Sequence, residues 1–345
     1  MVAVVCGIGA AFPQRLEQDE LWDGFFSRHY AGVRAAGRLF GSVGVHSRHG
    51  VVNPLVEDVS AWGTGARMER YATAAPPLAY EAVTGALADA GLDPAEVGLL
   101  AVASCTGYVT PGLDVQLAAD LALPADTQRL LIGHMGCYAA LPALGAVGDY
   151  VTARDRPAVL LCVELTSLHV QPPDRAVDQV VAHALFSDAA AAVVLRPGGG
   201  GFRVRDVVAR TDPSTADHMT WDVTDLGFRM GLSPRVPDVL EKYVGEVVDE
   251  LLGRHGLAVP DVAGWAVHPG GPRIVDVVAE QLALPADAVD ASRQVLRDHG
   301  NCSSATVLLV LEELRPRVPV GGHVVLMAFG PGLTLYAVLL TRTPA

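Results

Sequence analysis

A six-residue stretch occurs twice in this chain. Leu121-Ala122-Leu123-Pro124-Ala125-Asp126 returns as Leu282-Ala283-Leu284-Pro285-Ala286-Asp287. The flanks of the two copies also run in the same order, and an internal echo of that length constrains the fold more than any single residue can. Ahead of the first copy lie an apolar run, Gly98 to Ser104, then Gly107 and a helical pattern from Asp114. Ahead of the second lie Gly264 to Val267, then Gly270-Gly271 and a helical pattern from Arg273. After the first copy, Gly136-Cys137 opens a small-residue helix, Tyr138 to Tyr150; after the second, Gly300-Asn301 opens another, Ser303 to Leu314. Each half then continues with a buried-strand run (Ala158 to Val163, His323 to Ala328) and a last strand (Ala189 to Leu195, Leu333 to Leu340).

Continuous apolar strands alternating with helices need a sheet covered on both faces. The reading is therefore a duplicated α/β core. Its seam is the Pro-Gly-rich stretch Pro197 to Gly201. Residues 1–197 make an N-terminal half carrying Cys137, and residues 198–345 a C-terminal half carrying His268 and Asn301. The helix Pro237 to His255 goes with the second half. Residues 12–75 read as an irregular, helical insert after a first strand, Val2 to Ala11.

Composition narrows the function. With 345 residues, half of them apolar, the chain can bury a large core. Lys plus Arg number 25 against 38 Asp plus Glu, a net charge of −13. That balance excludes a basic surface for nucleic acid and disfavours anionic lipid. Lys242 is the only lysine, which nearly excludes Schiff-base chemistry. The longest apolar stretch, Val324 to Leu340, is broken by Gly330-Pro331-Gly332 and reads as two strands and a turn, not a membrane span. No signal peptide is visible, and the expected location is the cytoplasm. The five cysteines are scattered, which suits neither a metal site nor a disulfide framework.

The repeat also gathers chemistry. Cys137 and Asn301 occupy matching places, each after a glycine at the start of a helix. His268 ends the strand that matches the one before Cys105. In a pseudo-two-fold fold these loops converge on one side of the sheet. A cysteine at a helix N-terminus has its thiol pKa lowered by the helix dipole, and a histidine can complete a thiolate–imidazolium pair. Thiolates accept acyl groups from thioesters. The His Nε2–H and the Asn amide can donate to a developing enolate oxygen. Carbonyl polarisation with no base nearby suits decarboxylation of a malonyl thioester, whose enolate then attacks the acyl-enzyme. Neither a metal nor a redox cofactor is needed. Each residue alone has a plainer reading, as core packing (Cys137), a loop residue (His268) or a turn (Asn301). Their joint placement is what favours chemistry.

These residues sit in motifs that resemble the signature loops of type III polyketide synthases, the chalcone synthase superfamily. The motifs are Trp265-Ala-Val-His268-Pro-Gly-Gly-Pro272, His299-Gly-Asn301-Cys-Ser-Ser304 and Phe329-Gly-Pro-Gly-Leu-Thr334. Gly136-Cys137-Tyr-Ala fits the nucleophile motif and Leu185-Phe186-Ser-Asp188 the gatekeeper motif. The resemblance runs from about Gly98 to Leu340. It implies a thiolase-type, duplicated, five-layered αβαβα fold, a homodimer, and CoA thioesters as substrates with no cofactor. By resemblance Cys137 carries an acyl-CoA starter and the growing chain. His268 and Asn301 bind the thioester carbonyl and drive decarboxylation of malonyl-CoA. Phe186 sits where the CoA tunnel meets the cavity. The expected outcome is a small pyrone or phenolic product.

The chain departs from the plant pattern in several places. Met230 takes the place of a second gatekeeper Phe, Cys105 that of a Thr, and Thr110 that of a Met that reaches into the neighbouring subunit. Glu164, Thr166, Leu168, His169 and Ser303 are expected to line the pocket, His169 with the option of polarising a polyketide carbonyl. Ser187, Ala189 and Ala328 replace glycines. The basic cluster for CoA is thinned: Arg38 fits one position, and Arg48 or Arg273 is expected to compensate by meeting phosphates, with Gly270 and Gly271 beside them. The thinning leaves room for delivery by an acyl-carrier protein. An initiating β-ketoacyl-acyl-carrier-protein synthase shares the Cys-His-Asn set, but its His lies in a His-Gln-Ala-Asn loop, whereas Pro-Gly-Gly follows His268. A scaffold with a decayed site would have lost one of the three residues. A thiol hydrolase lacks its nucleophile elbow here.

Overall fold

The apolar runs of the two halves form matching stretches of sheet. In the computed structural model, which describes residues 2–344, the first half supplies β1 (Ala3–Ala11), β2 (Leu99–Ser104), β3 (Gln128–Gly133), β4 (Ala158–Glu164) and β5 (Ala189–Pro197). The second supplies β6 (Gly201–Thr211), β7 (Val262–Val267), β8 (His323–Gly330) and β9 (Thr334–Thr343). They form one nine-stranded sheet in the order β7-β8-β9-β6-β1-β5-β4-β2-β3. In each half a parallel pair (β2 with β4, β7 with β8) is followed by an antiparallel strand (β5, β9) and then by the opening strand (β1, β6). The halves join through two residue pairs, Val4–Arg203 and Val5–Phe202. Among the described residues β3 has no counterpart in the second half.

The helices that pack on the strands are α1 (Thr64–Ala90), α2 (Leu113–Asp120), α3 (Ala140–Arg154), α4 (Val236–Gly253), α5 (Pro272–Gln281) and α6 (Thr306–Leu314). Successive side chains of a strand point to opposite faces, so each strand feeds two cores. On β4, Leu160 and Cys162 face a core shared by the halves, while Val159, Leu161 and Val163 face an outer core with α1 and α2. On β8, Val324, Leu326 and Ala328 face the shared core, while Val325, Met327 and Phe329 face an outer core with α4 and α5. The shared core is filled by α3 and α6. The result is helix, sheet, helix, sheet, helix: the thiolase-type architecture. Burying a leucine or valine side chain stabilises by about 1.5–3 kcal/mol, which is why these wholly apolar strands sit in the middle layers. No helix among the described residues is long and apolar enough to cross a membrane.

Two differences from the sequence reading concern the first half. The segment after β1 contains a strand pair, Gln14–Glu17 against Ser47–Gly50, as well as short helices, one of them Ala36–Ser42. The edge strand β3 was not anticipated. Its Gln128-Arg129-Leu130-Leu131 run is exposed and neither alternates nor stays apolar, so it carries no strand period.

Beyond the ends of β2, β4, β7 and β8 stand Cys105, Thr166, His268 and Pro331, while Cys137 follows the edge strand β3 and Asn301 follows the helix Asp290–His299. Such carboxyl ends are where α/β sheets place ligands.

Candidate active site

Cys137 stands in a short 3₁₀ turn, Gly136–Tyr138, that leads into α3. The turn passes against the Phe329-Gly-Pro-Gly loop of the other half. A Cβ on Gly136, which has φ +77°, would lie 2.5 Å from Pro331 Cδ. Only glycine allows both that conformation and that approach. Cys137 is 6% exposed.

His268 follows β7 and is anchored by its backbone N–H on the Met327 carbonyl at 2.8 Å. Its ring is buried, and neither ring nitrogen has a hydrogen-bond partner among the described residues. Buried polar atoms are rarely left so. Asn301 follows the helix Asp290–His299 and is held three ways. Its N–H donates to the Leu185 carbonyl at 2.9 Å, its carbonyl accepts from Ser187 N–H at 3.0 Å, and its Oδ1 accepts from Ser303 N–H at 2.9 Å. The last contact turns the amide donors toward Cys137, whose thiolate form they and the Ser303 hydroxyl favour.

Cys137, His268 and Asn301 line one cavity of about 280 Å³. Phe186, Met230, Phe329, Gly270, Gly271 and Arg273 share its wall. A recess of about 20 Å³ continues past Cys137 between Cys105, Thr166, Ser303 and Trp221. Beyond it lies a mostly apolar recess of about 50 Å³ with Leu16, Leu21, Phe26, His169 and Phe228. Phe186 and Met230 border all three spaces, and Trp221 the two inner ones.

Burial dominates the electrostatics. It pushes the Cys137 thiol up to about 12, against the pull of Ser303 and Asn301, and it pushes the His268 imidazole down to about 3. Desolvation thus works against both charges of the thiolate–imidazolium pair expected from the helix dipole, while Ser303 and Asn301 favour the thiolate.

Several expected pocket residues stand elsewhere. Glu164 lies behind the wall: its carboxylate accepts from Cys105 N–H at 3.0 Å, Thr106 Oγ1 at 2.9 Å and Ser304 Oγ at 2.5 Å. Burial holds it above the usual carboxylate range. Leu168 is wholly buried in the outer core of the first half and borders none of these three spaces. His169 borders the inner recess, but both of its nitrogens are used. Nε2–H donates to the Thr106 carbonyl at 2.7 Å and Nδ1 accepts from Phe228 N–H at 3.0 Å, so it has no donor left for a polyketide carbonyl. Cys105, Thr166 and Ser303 do border the recess, with Cys105 Sγ 3.5 Å from Ser303 Oγ.

The basic residues divide similarly. Arg48 is 6% exposed, its two Nη atoms are spent on backbone carbonyls and Gln18, and its Nε is buried, so the phosphate contact expected of it is not available. Arg273 stands at the cavity mouth, half-exposed, paired with Glu280 at 2.9 Å and Glu241 at 3.4 Å. Arg38 is exposed one helical turn before Ser42, which borders the same mouth. Thr110 lies in the exposed loop after β2. Sequence reasoning missed Trp221, whose hairpin (Met219–Thr224 with Gly227–Leu232) has no match in the first half and no motif. It quoted Phe329 only as part of a motif.

Residues 2–199 match the model of the N-terminal domain of chalcone and stilbene synthases, and residues 205–344 that of the C-terminal domain. A 1,3,6,8-tetrahydroxynaphthalene synthase of Streptomyces peucetius subsp. caesius is 39% identical over 312 residues, 88% of this chain and 82% of that protein. The alpha-pyrone synthesis polyketide synthase-like Pks18 of Mycobacterium tuberculosis is 34% identical, over 79% of this chain and 72% of the relative. The crystal structure of 1,3,6,8-tetrahydroxynaphthalene synthase from Streptomyces coelicolor A3(2) superposes with a TM-score of 0.93 at 30% identity, covering 99% of this chain and 100% of that one.

Proposed function

Since the chain belongs to the chalcone and stilbene synthases and is a type III polyketide synthase, we propose that it extends an acyl-CoA starter with malonyl-CoA by iterative decarboxylative Claisen condensation and closes the chain to a small phenolic or pyrone ring. One observation carries the assignment of roles. Cys137, from the half 1–197, shares a cavity with His268 and Asn301, from the half 198–345, and the His268 ring is buried there without a partner.

In loading, the Cys137 thiol passes its proton to His268 Nε2 as sulfur attacks the starter thioester. The S–CoA bond breaks, CoA leaves as a thiolate that solvent protonates, and His268 keeps the Nε2–H that the next step uses and that returns to the Cys137 thiolate after condensation. The burial of both groups fits this order, because it disfavours charge until the substrate carbonyl is present to use it. In extension, malonyl-CoA loses CO₂ and the electron pair of the broken C–C bond moves onto its thioester carbonyl. The His268 N–H and the Asn301 amide hold the resulting enolate oxygen. The enolate carbon attacks the acyl group on Cys137, the C–S bond breaks, and the lengthened chain leaves on CoA to be reloaded. The relatives named for tetrahydroxynaphthalene and alpha-pyrone synthesis support an aromatic or a pyrone outcome. Arg38 and Arg273 at the mouth are the side chains placed to meet CoA phosphates, Arg273 by leaving its carboxylates.

Intact-protein mass spectrometry with a panel of acyl-CoAs tests the reading. The expected result is an acyl adduct on Cys137 that malonyl-CoA chases into a ring product. Cys137→Ala should abolish product while malonyl-CoA decarboxylation continues, and Asn301→Ala should slow decarboxylation by about 10²-fold, the scale of losing one oxyanion donor. Condensation by Cys137→Ala, or undiminished decarboxylation by Asn301→Ala, would remove those roles. Adducts formed only from acyl-carrier protein would replace CoA as the donor.

A further inference from the structure

Arg48 is unavailable to CoA, and the structure gives it other work. We propose that Arg48 is a positioning residue that sets both Phe186 and Asn301 through the C-terminal turn of the helix Val177–Leu185; this rests on the roles assigned to those two residues above.

The last carbonyls of a helix have no partner inside it. Here one side chain takes two of them, together with the carbonyl of the residue just after the helix. Arg48 Nη1 donates to the carbonyls of His183 and Phe186 (3.1 Å for the latter), and Nη2 donates to the Ala184 carbonyl at 2.6 Å and to Gln18 Oε1. The carbonyl between them, that of Leu185, takes the Asn301 N–H at 2.9 Å. A cation at this end also meets the negative pole of the helix. Gln18 ties the arrangement further, its Nε2 donating to the Ala184 carbonyl at 3.0 Å.

The residues after the helix are stitched on both sides. Ser187 N–H donates to the Asn301 carbonyl at 3.0 Å, and Asp188 N–H donates to the carbonyl of His49, the residue after Arg48, at 3.0 Å. The helix end, the gatekeeper and the Asn301 turn thus form one unit, and Arg48 is its buried cationic clasp. A planar guanidinium can reach several carbonyls at once; a lysine ammonium on its flexible stem cannot hold the same fan of acceptors. Nothing in the motifs marks this role, since Arg48 stands on the strand Ser47–Gly50, far from either motif in sequence.

Arg48→Lys keeps the charge and loses the fan. The expected result is a kcat for malonyl-CoA decarboxylation, per Cys137 titrated by acyl adduct, at least tenfold lower, with KM for malonyl-CoA within twofold. Gln18→Ala should move the same way by a smaller factor and serves if Arg48→Lys does not fold. A raised KM with unchanged kcat would mean a phosphate contact and overturn the proposal. A lowered Tm with unchanged kcat per titrated site would mean a merely structural role and overturn it too. Hydrogen exchange gives a readout that does not depend on activity. The Ser187 and Asn301 amides should exchange at least tenfold faster in Arg48→Lys while β4 and β8 are unchanged; equal exchange would overturn the clasp even if the wild type proved to catalyse another reaction.

Discussion

Trp221 donates its indole N–H to the Cys105 carbonyl at 2.7 Å, which fixes the ring between the two inner recesses. Phe186 lies 6.2 Å away, ring centre to ring centre, and Met230 closes the remaining side. Removing the indole should join the recesses into one space reaching Leu16, Leu21 and Phe26. Trp221→Gly is therefore expected to accept longer acyl starters or add at least one more malonyl unit, as read by mass spectrometry of the products. An unchanged product distribution would place the floor of the cavity elsewhere. The neighbouring residues show how far sequence reaches at this scale. Cys137, His268, Asn301 and Phe186 were legible because each sits in a short motif with a chemical reason. Arg48 and Glu164 were misplaced, and His169 borders the inner recess without a donor to offer it, because a residue type does not reveal its partners. A guanidinium, a carboxylate and an imidazole that read as substrate contacts are each consumed by the protein's own donors and acceptors.

At the level of elements, the repeat made the strands and helices of both halves readable down to their order, since duplicated apolar runs reinforce each other. What escaped were β6, the strand pair Gln14–Glu17 with Ser47–Gly50, the Trp221 hairpin and β3. The latter forms one edge of the sheet, pairing with β2 on one side only, with Leu130 40% and Leu131 50% exposed. An unpaired edge with exposed leucines is a surface prepared for another strand. The homodimer that the family resemblance implies would be built there, from two copies of β3. Light scattering at micromolar concentration should give the mass of a dimer for the wild type and of a monomer for Leu131→Lys. A monomeric wild type, or a dimeric Leu131→Lys, would move the interface off this strand.

Over the whole molecule, the buried histidines set the response to acid. Burial pulls His49 and His169 down to about 4, and His183 and His268 to about 3. Their folded values lie below the unfolded one, so the unfolded chain takes up protons first as pH falls below 6.5, and stability declines. Each such proton is worth about 1.4 kcal/mol per pH unit. Two carboxyls oppose this. Asp188, raised to about 6, and Glu164, raised as well, contribute stability that is present below their unfolded values and lost as pH rises through the folded ones. Four imidazoles oppose two carboxyls, and His29, His299 and His323, also lowered by burial, add to the imidazole side, so unfolding takes up protons as pH falls from 6 to 4. Tm should fall steadily from pH 7 to pH 4.5, and His169→Gln should make the decline shallower by about one proton. A Tm that rises on acidification would contradict the assignment of neutral buried histidines.

The two-residue join between β1 and β6 leaves most of the contact between the halves to α3, α6 and the loops at Gly136 and Pro331. On the ribosome, Cys137 is made well before His268 and Asn301. A nascent chain that has completed only its first half holds a thiol with neither a proton acceptor nor an enolate cradle. With the roles proposed above, acyl transfer to Cys137 is expected only once the second half has been synthesised and has docked, so that acylation would report completed synthesis and folding.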